Sequence, residues 1–270
     1  MSGATATTGV DALFERTRAE GRAALVGYLP AGFPDVETSV RALVAMVEGG
    51  CDLVEIGLPF SDPVMDGPTI QAAAEAALAA GFRTAHTFEV VRRVAETGAP
   101  TVVMTYWNPV ERYGVERFAA DLADAGGAGL ITPDLIPDEA QEWEAASRTH
   151  GLARTYLVAP SSTDARLAMT AEAASGFIYA TAVMGVTGAR EQTSSLAPTL
   201  VSRVREVTDK PVGVGLGVSN GAQAHEIAQY ADAVIVGSAF VRRLLDAPDA
   251  DSGVESVREL ARELRAGVVR

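Results

Sequence analysis

Eight short apolar runs, spaced by amphipathic stretches, constrain this chain more than any other feature. They lie at 23–30, 53–56, 100–109, 130–132, 153–160, 176–182, 211–219 and 231–240. Runs of this length read as buried strands, and the stretches between them carry apolar residues at helical spacing. Strand and helix in alternation build a parallel sheet. Eight such units close into a single (β/α)8 TIM barrel, and 270 residues is a fitting length for one. An open, doubly wound sheet is the competing arrangement. The count of eight and the position of the glycine turns favour closure.

Local signals set the helices. Asp35 is a good N-cap, with Val36, Val40, Leu43, Val44 and Val47 behind it and Gly49-Gly50 as a stop. Pro68 opens an Ala-rich helix running to 81. Further helices are expected at 84–96, 112–126, 164–174, 196–207 and 254–264, with Pro137-Asp138-Glu139 opening another. A short helix at 10–20 precedes the first strand, so the barrel carries extra helices, one of them N-terminal. Residues 1–9 are small and polar and read as a flexible tail, leaving 10–270 as one catalytic domain.

A net charge of −13 argues against nucleic acid as a partner, because phosphate backbones need a clustered basic surface. No apolar run approaches the roughly 18 residues of a membrane span. The N-terminus lacks the basic and apolar regions of a signal peptide. Cys51 is the only cysteine, so no internal disulfide is possible, and a cytoplasmic location is expected.

In such a barrel the chemistry sits at the C-terminal ends of the strands and in the loops after them. Tyr28, Glu55, Asp66, Tyr106, Asn108, Asp134, Tyr179, Thr187, Gly215, Gly217, Gly237 and Ser238 all fall there. Along the second strand, alternation puts Val54 and Ile56 on one face and Glu55 on the other, between Leu53 and Gly57. A carboxylate in an apolar setting has a raised pKa. Glu55 and Asp66 are therefore a candidate acid–base pair, with Asp66 beside a helix N-terminus that favours its charged form. The plain alternative is that Glu55 pairs with an arginine and Asp66 only caps a helix.

Gly213, Gly215 and Gly217 alternate along the seventh strand, and Gly237-Ser238 ends the eighth. Barrels often bind phosphate through the loops after these two strands and a short extra helix, for which 238–241 is the candidate. Relief of crowding in the barrel wall is the alternative role for the glycines. The polar stretch 184–195, with Gly185-Val186-Thr187-Gly188, suits a lid or a plain surface loop. His86, His150 and His225 lie on helices with no metal spacing, and no metal site is expected. Lys210 lies before the seventh strand, at the wrong face for a Schiff base. A cofactor-free acid–base reaction on a phosphorylated small molecule remains.

The segment PFSDPVMDGPTIQ (59–71), following the Glu55 strand, closely resembles the signature of the tryptophan synthase alpha subunit family. GVTG (185–188), the GVGLGVS strand (213–219) and VGSAFV (236–241) sit where that family has its lid and phosphate loops. Two stretches, ATAVM (180–184) and DLIPDEA (134–140), depart from the pattern near the lid and the partner surface. The resemblance implies a lyase that cleaves indole-3-glycerol phosphate to indole and glyceraldehyde 3-phosphate. It implies Glu55 as general acid/base, Asp66 as the carboxylate on the indole N–H, and Tyr179 as an active-site tyrosine. Gly188, Gly217, Gly237 and Ser238 would bind the phosphate, and Tyr28, Met104 and Thr187 would line the indole pocket. It further implies no cofactor in this chain and an α2β2 heterotetramer, with pyridoxal phosphate in a beta subunit that receives the indole. A stand-alone lyase releasing free indole, a non-catalytic barrel that activates a partner, and a sugar-phosphate isomerase are the alternatives.

Overall fold

A computed structural model of the chain describes residues 9–181, 190–215 and 217–270, the side chains of 190–195 excepted. Helix α1 (Gly9–Ala19) comes first, starting within the expected tail. The strands are β1 (Ala24–Pro30), β2 (Leu53–Gly57), β3 (Thr101–Met104), β4 (Gly129–Thr132), β5 (Ala153–Val158), β6 (Ile178–Thr181), β7 (Val212–Gly215) and β8 (Ala233–Val236). They close into a barrel in chain order. Every neighbouring pair is parallel, and β1 returns to β8 from Ala24↔Ala233 to Gly27↔Val236.

The helices between them follow their local signals. Asp35 caps α2 (Val36–Gly49) by accepting from the Thr38 amide, and Gly50 ends it at a φ of 114°. Pro68 opens α3 (Pro68–Ala79), and α4 (Thr84–Ala95) is the additional helix before β3. The third apolar run does not stay extended to 109. β3 ends at Met104, and the chain turns into α5 (Trp107–Tyr113), because both Asp134 carboxylate oxygens accept from the Trp107 amide at 2.9 and 3.1 Å. Gly114, at a φ of 96°, separates α5 from α6 (Val115–Asp124), so the helix expected at 112–126 is split. Pro137–Glu139 forms a single 3-10 turn before α7 (Gln141–Thr149).

After β5 come α8 (Asp164–Ala173) and then α9 (Arg190–Arg205), which begins inside the stretch expected to be loop. α10 (Gly221–Ala228) links β7 to β8, α11 (Ser238–Leu245) is the short helix expected after β8, and α12 (Ala250–Gly267) packs on α2. No described helix is long and apolar enough to cross a membrane.

The barrel sorts its apolar residues into two layers. Val54, Ile56, Val103, Leu130, Val214 and Val234 face outward into the layer shared with the helices. Val26, Leu53, Val102, Ile131, Phe177 and Ile235 fill the interior. Helix α1 closes the N-terminal end of that interior with Val10, Leu13 and Phe14, and the Phe14 and Phe177 rings lie 5.6 Å apart. Each such buried side chain contributes about 1.5–3 kcal/mol. The floor is solid, so the C-terminal mouth is the open end.

One charged cluster tightens the floor. Arg22, 5% exposed, donates to both oxygens of Asp52 at 2.6 and 2.7 Å, and Asp52 also accepts from the Leu25 amide at 2.9 Å. Removing one partner of a buried pair strands the other. Asp52→Ala is expected to lower stability by about 3–5 kcal/mol in urea titration. Arg16, 3.5 Å from Asp52 on the exposed side, is worth under about 1 kcal/mol by the same measurement.

Candidate active site

The inward positions at the mouth follow from register. Tyr28 on β1 pairs with Glu55 on β2, and Glu55 pairs with Val102 on β3. Leu53, one inward position below Glu55, belongs to the interior cluster, so Glu55 stands on an apolar bed. It is 1% exposed, and its Oε2 has no hydrogen-bond partner among the described residues. Burial, and then the negative charge of Asp66, push its carboxyl up to about 8. The arginine pair that would have made it a structural residue is not what the geometry shows.

Asp66 reaches the same space from the loop between β2 and α3. Its Oδ1 accepts from the Tyr106 hydroxyl at 2.8 Å, and that hydroxyl accepts from the Met65 amide at 3.2 Å. Gln71 donates to the Asp66 carbonyl at 2.8 Å. Burial raises the Asp66 carboxyl, and the Tyr106 hydrogen bond acts against the rise. This corrects the expectation that the start of α3 keeps Asp66 in an environment opposite to that of Glu55. Both acids are raised, and they differ in that Asp66 has a donor and the free oxygen of Glu55 has none.

Three tyrosines frame the acids. The Tyr28 hydroxyl is pushed well above its ordinary value, first by burial and then by Asp66, Glu55, Tyr106 and Tyr179. Tyr179, on β6, is raised by burial and by Glu55. The five side chains therefore share one electrostatic neighbourhood. Space for two of the rings comes from glycines. A Cβ at Gly57 would lie 2.3 Å from the Tyr28 oxygen, and one at Gly215 would lie 2.6 Å from the Tyr179 oxygen. Met104 ends β3 with its side chain packed against the interior cluster.

Of the three alternating glycines, two do relieve crowding. A Cβ at Gly213 would press on Ile235 and Phe177 at 3.1 and 3.2 Å, and Gly215 makes room for Tyr179. Gly217 differs: it lies past β7, exposed, at a φ of 66° that L side chains rarely adopt. Gly237 caps α11, and Ser238 is its first residue, so the Ser238 and Ala239 amides have no intrahelical partner, while the Phe240 amide already donates to the Gly237 carbonyl at 2.9 Å. Gly237 also backs Tyr28, whose ring would meet a Cβ there at 3.2 Å. Thr187 and Gly188 lie outside the described residues.

Asn108 and Asp134 do not join this group. Asn108 is exposed on α5, and Asp134 caps that helix. Tyr106 is the residue that strand position alone undersold, since nothing in the sequence ties it to Asp66. A surface cleft of about 460 Å³ between α2, α4 and α12 is lined by Arg41, Glu48, Asp251 and Arg258. Across it Arg41 pairs with Asp251 and Arg258 with Glu48, and Arg93 in its lining pairs with Glu37.

The sequence profile described as tryptophan synthase alpha chain matches residues 14–269. The chain belongs to the tryptophan synthase alpha chain family. The alpha chain of Salinispora tropica is 64% identical over 255 residues, covering 94% of this chain and 96% of that protein. That of Mycobacterium marinum is 61% identical over 256 residues, covering 95% and 93%. A solved structure of Mycobacterium tuberculosis tryptophan synthase superposes with a TM-score of 0.91 at 58% identity, covering 98% of this chain and 99% of that one. The tryptophan synthase alpha subunit of Legionella pneumophila gives a TM-score of 0.88 at 30% identity, covering 97% and 99%. The alpha chain is the lyase subunit that cleaves indole-3-glycerol phosphate, and the family works with a beta subunit.

The glycine–tyrosine contact gives a stability test. Gly215→Ala is expected to cost about 1–3 kcal/mol, the usual penalty for overpacking. Tyr179→Phe removes the 2.6 Å contact and leaves ring carbons at 3.2 Å, so most of the cost is recovered in the double variant. Denaturant midpoints of the four proteins in the cycle check this.

Proposed function

We propose that this chain cleaves indole-3-glycerol phosphate to indole and D-glyceraldehyde 3-phosphate at the barrel mouth, with Glu55 carrying the proton transfers. The observation that supports it most is a fully buried glutamate with one oxygen unbonded, standing on an apolar bed beside a second carboxylate. A carboxyl whose pKa lies near 8 is protonated at neutral pH and poised to give a proton to carbon.

The steps balance around that one proton. The Glu55 carboxylic acid protonates indole C3, and positive charge develops on the ring nitrogen. Asp66, as carboxylate, accepts the ring N–H and stabilises that charge. The Glu55 carboxylate then takes the proton of the adjacent side-chain hydroxyl. The carbonyl forms, the C–C bond to the ring breaks, and its electron pair restores the aromatic indole. Glu55 ends as it began, and no cofactor takes part.

Tyr28, Met104 and Thr187 are the proposed walls for the bicyclic ring, an apolar slot with few polar groups, and Tyr179 is the proposed active-site tyrosine beside Glu55. Gly188, Gly217, Gly237 and Ser238 are the proposed phosphate cradle. Free amides at the start of α11 and a glycine that lets the backbone approach an anion support it. In this reading the chain acts in the cytoplasm as the alpha part of an α2β2 assembly. Pyridoxal phosphate belongs to the beta subunit, which takes up the indole.

Glu55→Gln keeps the shape and removes the acid. Indole release from indole-3-glycerol phosphate is expected to fall by about 10²–10⁴-fold, and turnover near the parent rate would overturn the role. In the parent chain, kcat should decline as pH rises through about 8, as Glu55 ionises. The same group sets a stability signature. Its folded value lies above the ordinary 4.5, so the native state holds the proton more tightly than the unfolded chain does. Stability is therefore lost as pH rises from about 4.5 to about 8. Glu55→Gln should gain on the parent across that window, by on the order of a few kcal/mol. Melts at about pH 5 and about pH 8, near the two ends of the window, serve as the check.

A further inference from the structure

The Tyr106 hydroxyl has two bonds, one to each part of what it organises. It donates to Asp66 Oδ1 at 2.8 Å and accepts from the Met65 amide at 3.2 Å, so one group fixes both the carboxylate and the backbone just before it. The ring is 5% exposed and is held 5.5 Å from the Phe60 ring, which starts the same loop. Asp66 Oδ2 has no protein partner among the described residues.

Resting on the reading of Asp66 above, we infer that Tyr106 is the positioning residue that aims the Asp66 carboxylate and keeps it charged, leaving Oδ2 for the ring N–H of the substrate. The charge environment explains why a donor is needed. Glu55 on β2 and Tyr28 on β1 face Asp66, and Tyr179 on β6 joins them through Glu55 and Tyr28. Asp62 lies on the same loop, bonded to Ser61. None of these groups is a cation. The start of α3 lies one residue on and offers only a partial positive charge. Burial drives Asp66 towards its neutral form, and the Tyr106 hydrogen bond opposes this. A neutral Asp66 would lose the charge that matches the developing indolenine.

The test is Tyr106→Phe in the full chain, which keeps the ring against Phe60 and removes the hydroxyl. Cleavage of indole-3-glycerol phosphate is followed against pH, beside Asp66→Asn and the double variant. The acid limb of kcat/KM should move up by about one pH unit, giving about a tenfold loss on the acid side that is recovered as pH rises. The double variant should be no slower than Asp66→Asn, because the hydroxyl acts through that carboxylate. An unshifted limb, a loss independent of pH, or additive losses in the double variant would overturn the inference while an impaired Asp66→Asn leaves the reading of Asp66 standing. A fully active Asp66→Asn would overturn both.

Discussion

The structure turns on one unfavourable placement: an acid inside a closed barrel with an oxygen that no described residue bonds. Burying such a group is costly, and it persists only where its surroundings are rigid. The parallel ladder fixes Glu55 between Tyr28 and Val102, and Leu53 beneath it keeps the floor apolar. Everything else at the mouth is disposed around that side chain. Asp66 adds a second carboxyl group, and the tyrosines supply bulk and hydroxyls, with no cation among the described groups that surround the two acids. The two ends of the barrel thus divide their duties. The Arg22–Asp52 pair is matched oxygen for nitrogen at the floor, while the acids at the mouth stay short of partners.

Much of this was legible in the sequence because it rests on period and punctuation. Eight apolar runs gave eight strands, and the period-2 rule put Glu55 inward with Leu53 and Gly57. Asp35, Pro68 and Gly50 marked helix ends by local chemistry that needs no tertiary context. Failures came where a distant residue decides. The run through Trp107 is apolar enough for a strand, yet the Asp134 carboxylate, from the β4 side, caps it into α5. The start of α9 at Arg190 falls in a polar stretch with no apolar periodicity to announce it. Tyr106 belongs with Asp66 only because β3 delivers it across from the β2 loop, a pairing that spacing does not encode. The direction in which the Asp66 carboxyl is pushed was misread for a related reason: helix position is local, whereas burial is a property of the whole mouth.

The glycines show how one residue type can do two things in one barrel. Gly213 and Gly215 answer to neighbours across the interior, so a wall-relief role accounts for them. Gly217 answers to its own backbone, at a positive φ beyond the strand. Only the second kind has open space beside it, which lets a backbone approach an anion.

The helix that stops the barrel floor is the first described element in the chain, yet its seat is built from the last ones. Phe14 rests on Phe177, the residue just before β6, and its cluster includes Ala233 and Ile235 of β8. During synthesis, Val10, Leu13 and Phe14 emerge long before that seat exists. Their apolar face must wait in solvent or be shielded until the final strands arrive. Contacts this distant in sequence make for slow assembly, and a nascent chain with such a waiting face is exposed to misassociation. The plug therefore ties completion of the interior to the synthesis of β8.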